Sequence, residues 1–360
     1  MLPLAQALRD DLGHEVRWAV CEEYRPYLEA RGFVVHPCGL GEGRWAKLKE
    51  VPGGERLVGP ATPAFFGALF GTVLTPPMLS DLTAVTRAWP PDIFVHDRNE
   101  LAAAVLAASM GRRHVSSNFG ADPPEANINA AAAAVEHLWE GAGLAMPPWG
   151  GLYQYAFIDM YPEALSPKAP LPCRRLVIRP ADRAATPPPV GWVPDGRTTV
   201  YLTMGTIFND IAVTQLALDA VSKLDIRVVA TTGRQMGGAV HPGPNTQVFD
   251  YVSQESILPH VSAVLSHAGS GTFLGALAHG LPMVCLPQGA DQFMNARLGA
   301  RAGVATNIEP GDATVESVRD AVAAALTDDS MRARAGEVAA QIAAMPGARE
   351  VAEEVVALAG

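Results

Sequence analysis

His267 and the five residues after it, Ala268-Gly269-Ser270-Gly271-Thr272, put an imidazole, two hydroxyls and two glycines between two apolar stretches. The first stretch, Ala263 to Ser266, reads as a buried strand, and the second as a helix ending at Gly280. A strand, tight turn and helix in this order aim free backbone N–H groups and the positive end of a helix dipole at whatever occupies the turn. Phosphate suits both, so Gly269 to Thr272 is expected to hold a nucleotide diphosphate. Downstream, an apolar strand from Pro282 to Leu286 runs into a polar loop carrying Asp291, Gln292 and Asn295. A dinucleotide fingerprint is the rival reading of Gly269-x-Gly271-x-x-x-Gly275, with Asp291 about twenty residues on as its acid. The third glycine falls one place late, His267 stands in the turn, and the stretch lies far from the first strand-helix unit. An oxidoreductase is therefore kept only as a remote alternative.

Strand and helix alternate through most of the chain, which predicts parallel sheets and an α/β fold. Strands are expected at 14–20, 33–36, 92–96 and 114–117, and again at 199–204, 227–231 and 247–251. The chain opens on a helix, Leu2 to Asp11, where such a domain would open on a strand, so the first strand is missing from the pattern. Residues 147–194 are rich in proline without sustained periodicity and read as a linker, with a boundary near 180–189. The expected organisation is an N-terminal domain over 1–180, a C-terminal domain over 181–345 and a helical tail over 346–360. Between Gly39 and Trp89 the pattern loosens into glycine, proline and aromatic residues, the kind of segment that lines small-molecule pockets.

The 360 residues carry 27 basic and 37 acidic side chains, a net charge of −10 that argues against a nucleic-acid partner. Four cysteines, Cys21, Cys38, Cys173 and Cys285, are scattered without a C-x-x-C pair, so neither zinc nor a disulfide framework is expected and a reducing cytoplasm fits. Charges at Arg9, Asp10 and Asp11 interrupt any secretory signal. Leu57 to Ser80 is a long uncharged stretch, but Pro60, Pro63, Pro76 and Pro77 are expected to break it, making a pocket wall rather than a membrane span.

The stretch from Phe249 to Ala296 resembles the donor-binding signature of nucleotide-sugar glycosyltransferases that modify lipophilic small molecules. It is most similar to the bacterial antibiotic branch, which has His-Ala-Gly-Ser-Gly-Thr at this turn. The resemblance continues in VYLTMGT (Val200 to Thr206), PDIFVHD (Pro91 to Asp97) and the opening LPLAQALRDDLGHEVRWAV. It implies a GT-B architecture of two Rossmann-like domains, acceptor in the first and donor in the second. It also implies inverting transfer of a hexose or deoxyhexose from a UDP- or dTDP-sugar, with neither a catalytic metal nor a cofactor. Tyr251 then stacks on the base, with Val252 and Gln254 at base or ribose, although Gln254 and Asn295 taken alone equally suit helix caps. His267 bonds a phosphate oxygen beside the N–H groups of Gly269 to Thr272 and the hydroxyls of Ser270 and Thr272. Gly205 and Thr206 face the phosphates, and Asp291 and Gln292 read sugar hydroxyls. Gly275 departs from the plant pattern, which has a ribose-binding Glu there.

Transfer to a hydroxyl needs a general base. The resemblance matches Asp97 to the residue that orients a catalytic histidine, and places that histidine upstream of Met1, which would make Met1 internal to a longer chain or the protein a truncated product. His96 adjoins Asp97, but strand neighbours point to opposite faces and cannot share one pocket. Two functions follow: an active glycosyltransferase, or an impaired homologue that binds nucleotide sugar or assists a partner enzyme.

Overall fold

The computed structural model describes residues 1–54, 60–166, 171–180, 191–192, 196–205, 210–233 and 240–360. Thr206 and the expected boundary at 181–189 lie outside the described residues.

The second half is built on β7 (Thr199–Thr203), β8 (Arg227–Thr231), β9 (Thr246–Phe249), β10 (Ala263–Ser266), β11 (Met283–Cys285) and β12 (Ala305–Asn307). They form one parallel sheet in the order β12-β11-β10-β7-β8-β9, whose strand order reverses between β7 and β10. Every residue of β7, β10 and β11 is buried, which is why these strands read as continuous apolar runs rather than alternating ones. Ligands of such sheets bind beyond the carboxyl ends of the strands at the reversal, and the His267 turn follows β10 there.

The first half holds β1 (Arg17–Val20) and β2 (Val34–Pro37) as one parallel pair. A separate parallel sheet runs β3 (Ile93–Asp97), β4 (Arg113–Ser117), β5 (Ala156–Asp159) and β6 (Arg174–Val177). The chain does open on a helix, Leu2–Gln6, continued as a π-turn to Asp11. Two of these strands correct the linker expectation, since β5 and β6 lie inside residues 147–194. Each is only four residues long, and β5 is wholly buried, so neither shows a periodicity that sequence reading detects.

The prolines do not break the apolar stretch either. Helix runs without interruption from Pro63 to Ala88, long and apolar enough by composition to cross a membrane, with a third of its most apolar window buried in this chain. Residues 67–74 are wound as a π-helix ahead of Pro76 and Pro77. There the Thr75 hydroxyl donates to the Phe70 carbonyl at 2.6 Å, supplying a donor where the proline nitrogens have none. Gly67 and Gly71 let this helix close onto the helix Glu125–Gly141: a Cβ at Gly71 would lie 2.4 Å from Ala134 Cβ.

The helical tail returns to the first half. Val351, Ala352 and Val355 of the helix Ala348–Ala359 pack with Leu4, Val115, Ile158 and Leu176 in one core cluster.

Candidate functional site

The turn after β10 carries strain held from both ends. Ala268 adopts a left-handed backbone (φ 63°), a conformation that costs a non-glycine residue about 1 kcal/mol or more. Its N–H donates to Ser266 Oγ at 3.1 Å and its carbonyl accepts from Asn295 Nδ2 at 2.8 Å. The helix Ser270–Ala278 begins at once, with Gly269 as N-cap and no side chain capping it, so its first-turn N–H groups are open to an anion. A Cβ on Gly271 would meet nothing within 4 Å, leaving that approach clear.

His267 is nearly buried, and its ring fills the space that Cβ atoms would take at two glycines. Nε2 lies 2.6 Å from a Cβ built on Gly205 and 2.4 Å from one built on Gly269. Its Nδ1 faces the Thr203 carbonyl at 3.4 Å; a carbonyl only accepts, so Nδ1 carries the hydrogen and Nε2 is bare. Burial lowers the His267 pKa, against the pull of the Thr203 carbonyl and Asp291. The ring is thus neutral, with its bare nitrogen between the two glycine turns.

Asp291 is presented by a second left-handed residue, Ala290 (φ 51°), and by Gln292, whose Oε1 accepts from Gln288 N and Gly289 N at 2.7 and 3.0 Å. Gln292 is therefore the clamp of its own loop, with Nε2 unpartnered among the described residues. Asp291 Oδ2 accepts from the Ser270 hydroxyl and, at 2.9 Å, from Asn295 Nδ2, while Oδ1 has no hydrogen bond among the described residues. The Ser270 hydroxyl expected on the diphosphate is instead turned to Asp291. Thr272 Oγ1 accepts from Gln254 Nε2 at 2.7 Å, which ties the helix to the segment after β9. On that segment Tyr251 is exposed and Val252 is buried. Gly205, at the end of β7, brings its left-handed turn (φ 79°) to the same place. The described members of the expected donor set thus meet at one end of the sheet.

Asp97 ends β3 in the other half. Burial raises its pKa to about 6, offset by the Asn99 N–H at 2.7 Å, by Arg98 and by the Met1 amino group. His96 does not pair with the Asp97 carboxylate: its Nδ1 donates to the Asp97 backbone carbonyl at 2.8 Å, and its Nε2 bonds His114 Nδ1 at 3.0 Å across β3 and β4. Burial lowers the pKa of His96 to about 4 and of His114 to about 3. Among the described residues no imidazole bonds the Asp97 carboxylate.

Sequence reasoning passed over Tyr161, Gly120 and Arg98. Tyr161 Oη donates to Asn295 Oδ1 at 2.6 Å and lies 2.8 Å from Ser270 Oγ. Arg98, buried, holds Asp122 and the carbonyls of Gly120 and Ala121, and Gly120 abuts Asp291 so closely that a Cβ there would lie 2.6 Å from Oδ2. The i, i+4 spacing of Asp291 and Asn295 was the available signal for a shared helical face.

Residues 215–358 match the family of erythromycin biosynthesis protein CIII-like C-terminal domains. The aklavinone 7-beta-L-rhodosaminyltransferase of Streptomyces galilaeus is 26% identical across 97% of this chain and 90% of its own length. The chain is similar to bacterial antibiotic glycosyltransferases, in its C-terminal part by the family match and along nearly all its length by this relative. Another relative in this group, the 10-deoxymethynolide desosaminyltransferase of Streptomyces venezuelae, is 28% identical over 71% of this chain, which spans 65% of it. The glycosyltransferase VinC, solved in complex with dTDP, superposes with a TM-score of 0.78 at 23% identity, over 100% of this chain and 95% of its own, and shares the GT-B fold.

Proposed function

We propose that this chain transfers a hexose or deoxyhexose from a UDP- or dTDP-sugar to a lipophilic natural-product acceptor, with inversion. The observation that carries the reading is the uncapped helix at Gly269, with His267 between two glycines and an open Asp291 oxygen beside it. Cleavage of the glycosidic bond adds charge to the leaving diphosphate, and fixed N–H groups with a neighbouring imidazole stabilise that charge where it develops. Tyr251 offers its face to the base, the N–H groups of Gly269 to Thr272 take the diphosphate, and Asp291 Oδ1 with Gln292 Nε2 take sugar hydroxyls. Charge neutralisation falls to these groups rather than to a divalent cation, so turnover should survive EDTA. Among the described residues no cluster of three His, Cys, Asp or Glu side chains is set for a metal.

The acceptor lies against the helix Pro63–Ala88 and the ends of β3 and β4, in a chain whose four cysteines are free, as a reducing cytoplasm keeps them. Asp97 serves the base that deprotonates the acceptor hydroxyl. The test is to incubate the chain with UDP- and dTDP-sugars and a panel of polyketide and macrolide aglycones, following product and anomeric configuration. Transfer that disappears in Asp97→Asn while donor affinity stays unchanged supports the assignment. Donor binding by calorimetry without transfer or hydrolysis by the native chain points instead to the impaired homologue.

A further inference from the structure

Asp291 lies in the second half, yet part of its hydrogen-bonded support comes from the first. Tyr161 follows β5, is buried, and belongs to the core cluster that includes Phe273 and Leu274 of the turn's own helix. Its phenol gives its one hydrogen to Asn295 Oδ1, and Ser270, whose hydroxyl hydrogen goes to Asp291, lies against the phenol oxygen at 2.8 Å. Ser270 and Asn295 are in turn the two donors to Asp291 Oδ2. Behind Tyr161 the support continues into the first sheet. Asp159 Oδ1 accepts from Tyr161 N at 2.9 Å and from Asn118 Nδ2 at 2.6 Å, and Arg175 spans Asp159 Oδ2 and the Tyr161 carbonyl at 2.8 and 3.0 Å. Asn118 stands two residues before Gly120, which touches Asp291 directly.

We propose that Tyr161 is a positioning residue that sets the Asp291 carboxylate for the donor sugar through Asn295, so that sugar recognition in the second half requires the first half in register. The proposal rests on the donor-site reading above. With Oδ2 fixed by two donors, Oδ1 keeps one direction toward a sugar hydroxyl, and a fixed acceptor loses less freedom on binding than a swinging one. The diphosphate contacts at Gly269 to Thr272 are backbone N–H groups that bond neither Tyr161 nor Asp291, so the two parts of the donor are separable.

The experiment measures calorimetric affinities of the full chain for dTDP and dTDP-glucose, and for UDP and UDP-glucose. It compares native protein, Tyr161→Phe, Asp291→Asn and the double variant. Tyr161→Phe keeps the ring and its packing and removes only the hydroxyl. The expected result is a loss of about threefold to tenfold in sugar-nucleotide affinity, one hydrogen bond's worth, with diphosphate affinity within about twofold. Because Tyr161 acts through Asp291, the double variant should bind no more weakly than Asp291→Asn alone. Equal losses for diphosphate and sugar nucleotide, or additive losses in the double variant, overturn the proposal. An Asp291→Asn chain that keeps its sugar-nucleotide affinity overturns the donor reading itself. A Tyr161→Phe chain that keeps it while Asp291→Asn does not overturns only the role of Tyr161.

Discussion

With Nδ1 committed to the Thr203 carbonyl, His267 would meet a diphosphate with a bare Nε2, and two acceptors do not bond. Binding must therefore bring a proton. Burial holds the free ring's pKa below its ordinary value, so the ring starts neutral near pH 7, and an anion on Nε2 raises it. Donor affinity should then rise as pH falls toward the free-state pKa. Titrating dTDP or UDP at pH 7 in two buffers of different ionisation enthalpy should reveal net proton uptake; none would reject the contact. His267→Ala should weaken binding by roughly 1.5 to 3 kcal/mol, the worth of a hydrogen bond to a charged group. Gly205→Ala should also lose donor affinity, because its Cβ would stand 2.6 Å from the imidazole in a left-handed position (φ 79°). Equal donor affinity in that variant would mean the ring has room to move. The residue types in this turn were legible from spacing alone. The tautomer, the turned Ser270 and the Tyr161 contact were not, since they depend on neighbours 64, 21 and more than a hundred positions away in sequence.

At the scale of elements, β3 and β4 carry a buried pair of histidines beside two half-buried carboxyls. The folded pKa values of His96 and His114, about 4 and about 3, lie below the ordinary 6.5, so their cost appears as pH falls through 6.5: the unfolded chain takes protons that the fold refuses. Asp97 and Glu100 are raised by burial to about 6 and about 7, so they work in the opposite direction, favouring the fold at low pH and losing that support as pH rises. Replacing His114 by Gln removes one acid-side cost. The stability of the variant relative to the native chain should improve between pH 7 and pH 5 by up to about 1.4 kcal/mol per unit. Urea unfolding at the two pH values measures it, and a difference that stays constant would place the cost elsewhere. Most elements were readable because apolar strands alternate with apolar helices. β5 and β6 escaped because four-residue strands among prolines carry no period. The helix through Pro76 and Pro77 escaped because a π-wound stretch and the Thr75 hydroxyl absorb what proline removes from an α-helix.

Across the whole molecule, the last helix binds the chain's end to its beginning. Val355 is wholly buried against the first half although it follows the second in sequence. Val355→Ala should cost about 2 kcal/mol of stability as a buried cavity. It should loosen β4 and β5, detected as faster amide hydrogen exchange there, while dTDP or UDP affinity is retained. Exchange that accelerates only in β7 to β12 would contradict the packing. A tail of alternating apolar and charged residues announced a helix but not its partner, because an amphipathic face fits either sheet.

That return means the polypeptide passes between the halves twice, once between β6 and β7 and once at Met345 to Gly347. The two passages touch: Arg179 N donates to the Pro346 carbonyl at 2.8 Å, and the Arg179 guanidinium to the Ala343 carbonyl at 3.3 Å. Two strings knotted at one point act as a pivot. If the halves move, a pivot there favours tilting over sliding, and the expectation is that their separation and the alignment of Tyr161 with Asn295 change together. Spin labels on the helices Glu125–Gly141 and Val315–Thr327 should show a single distance coordinate that shortens on donor binding. A distance that does not change on donor binding, or that broadens without shortening, would contradict the pivot.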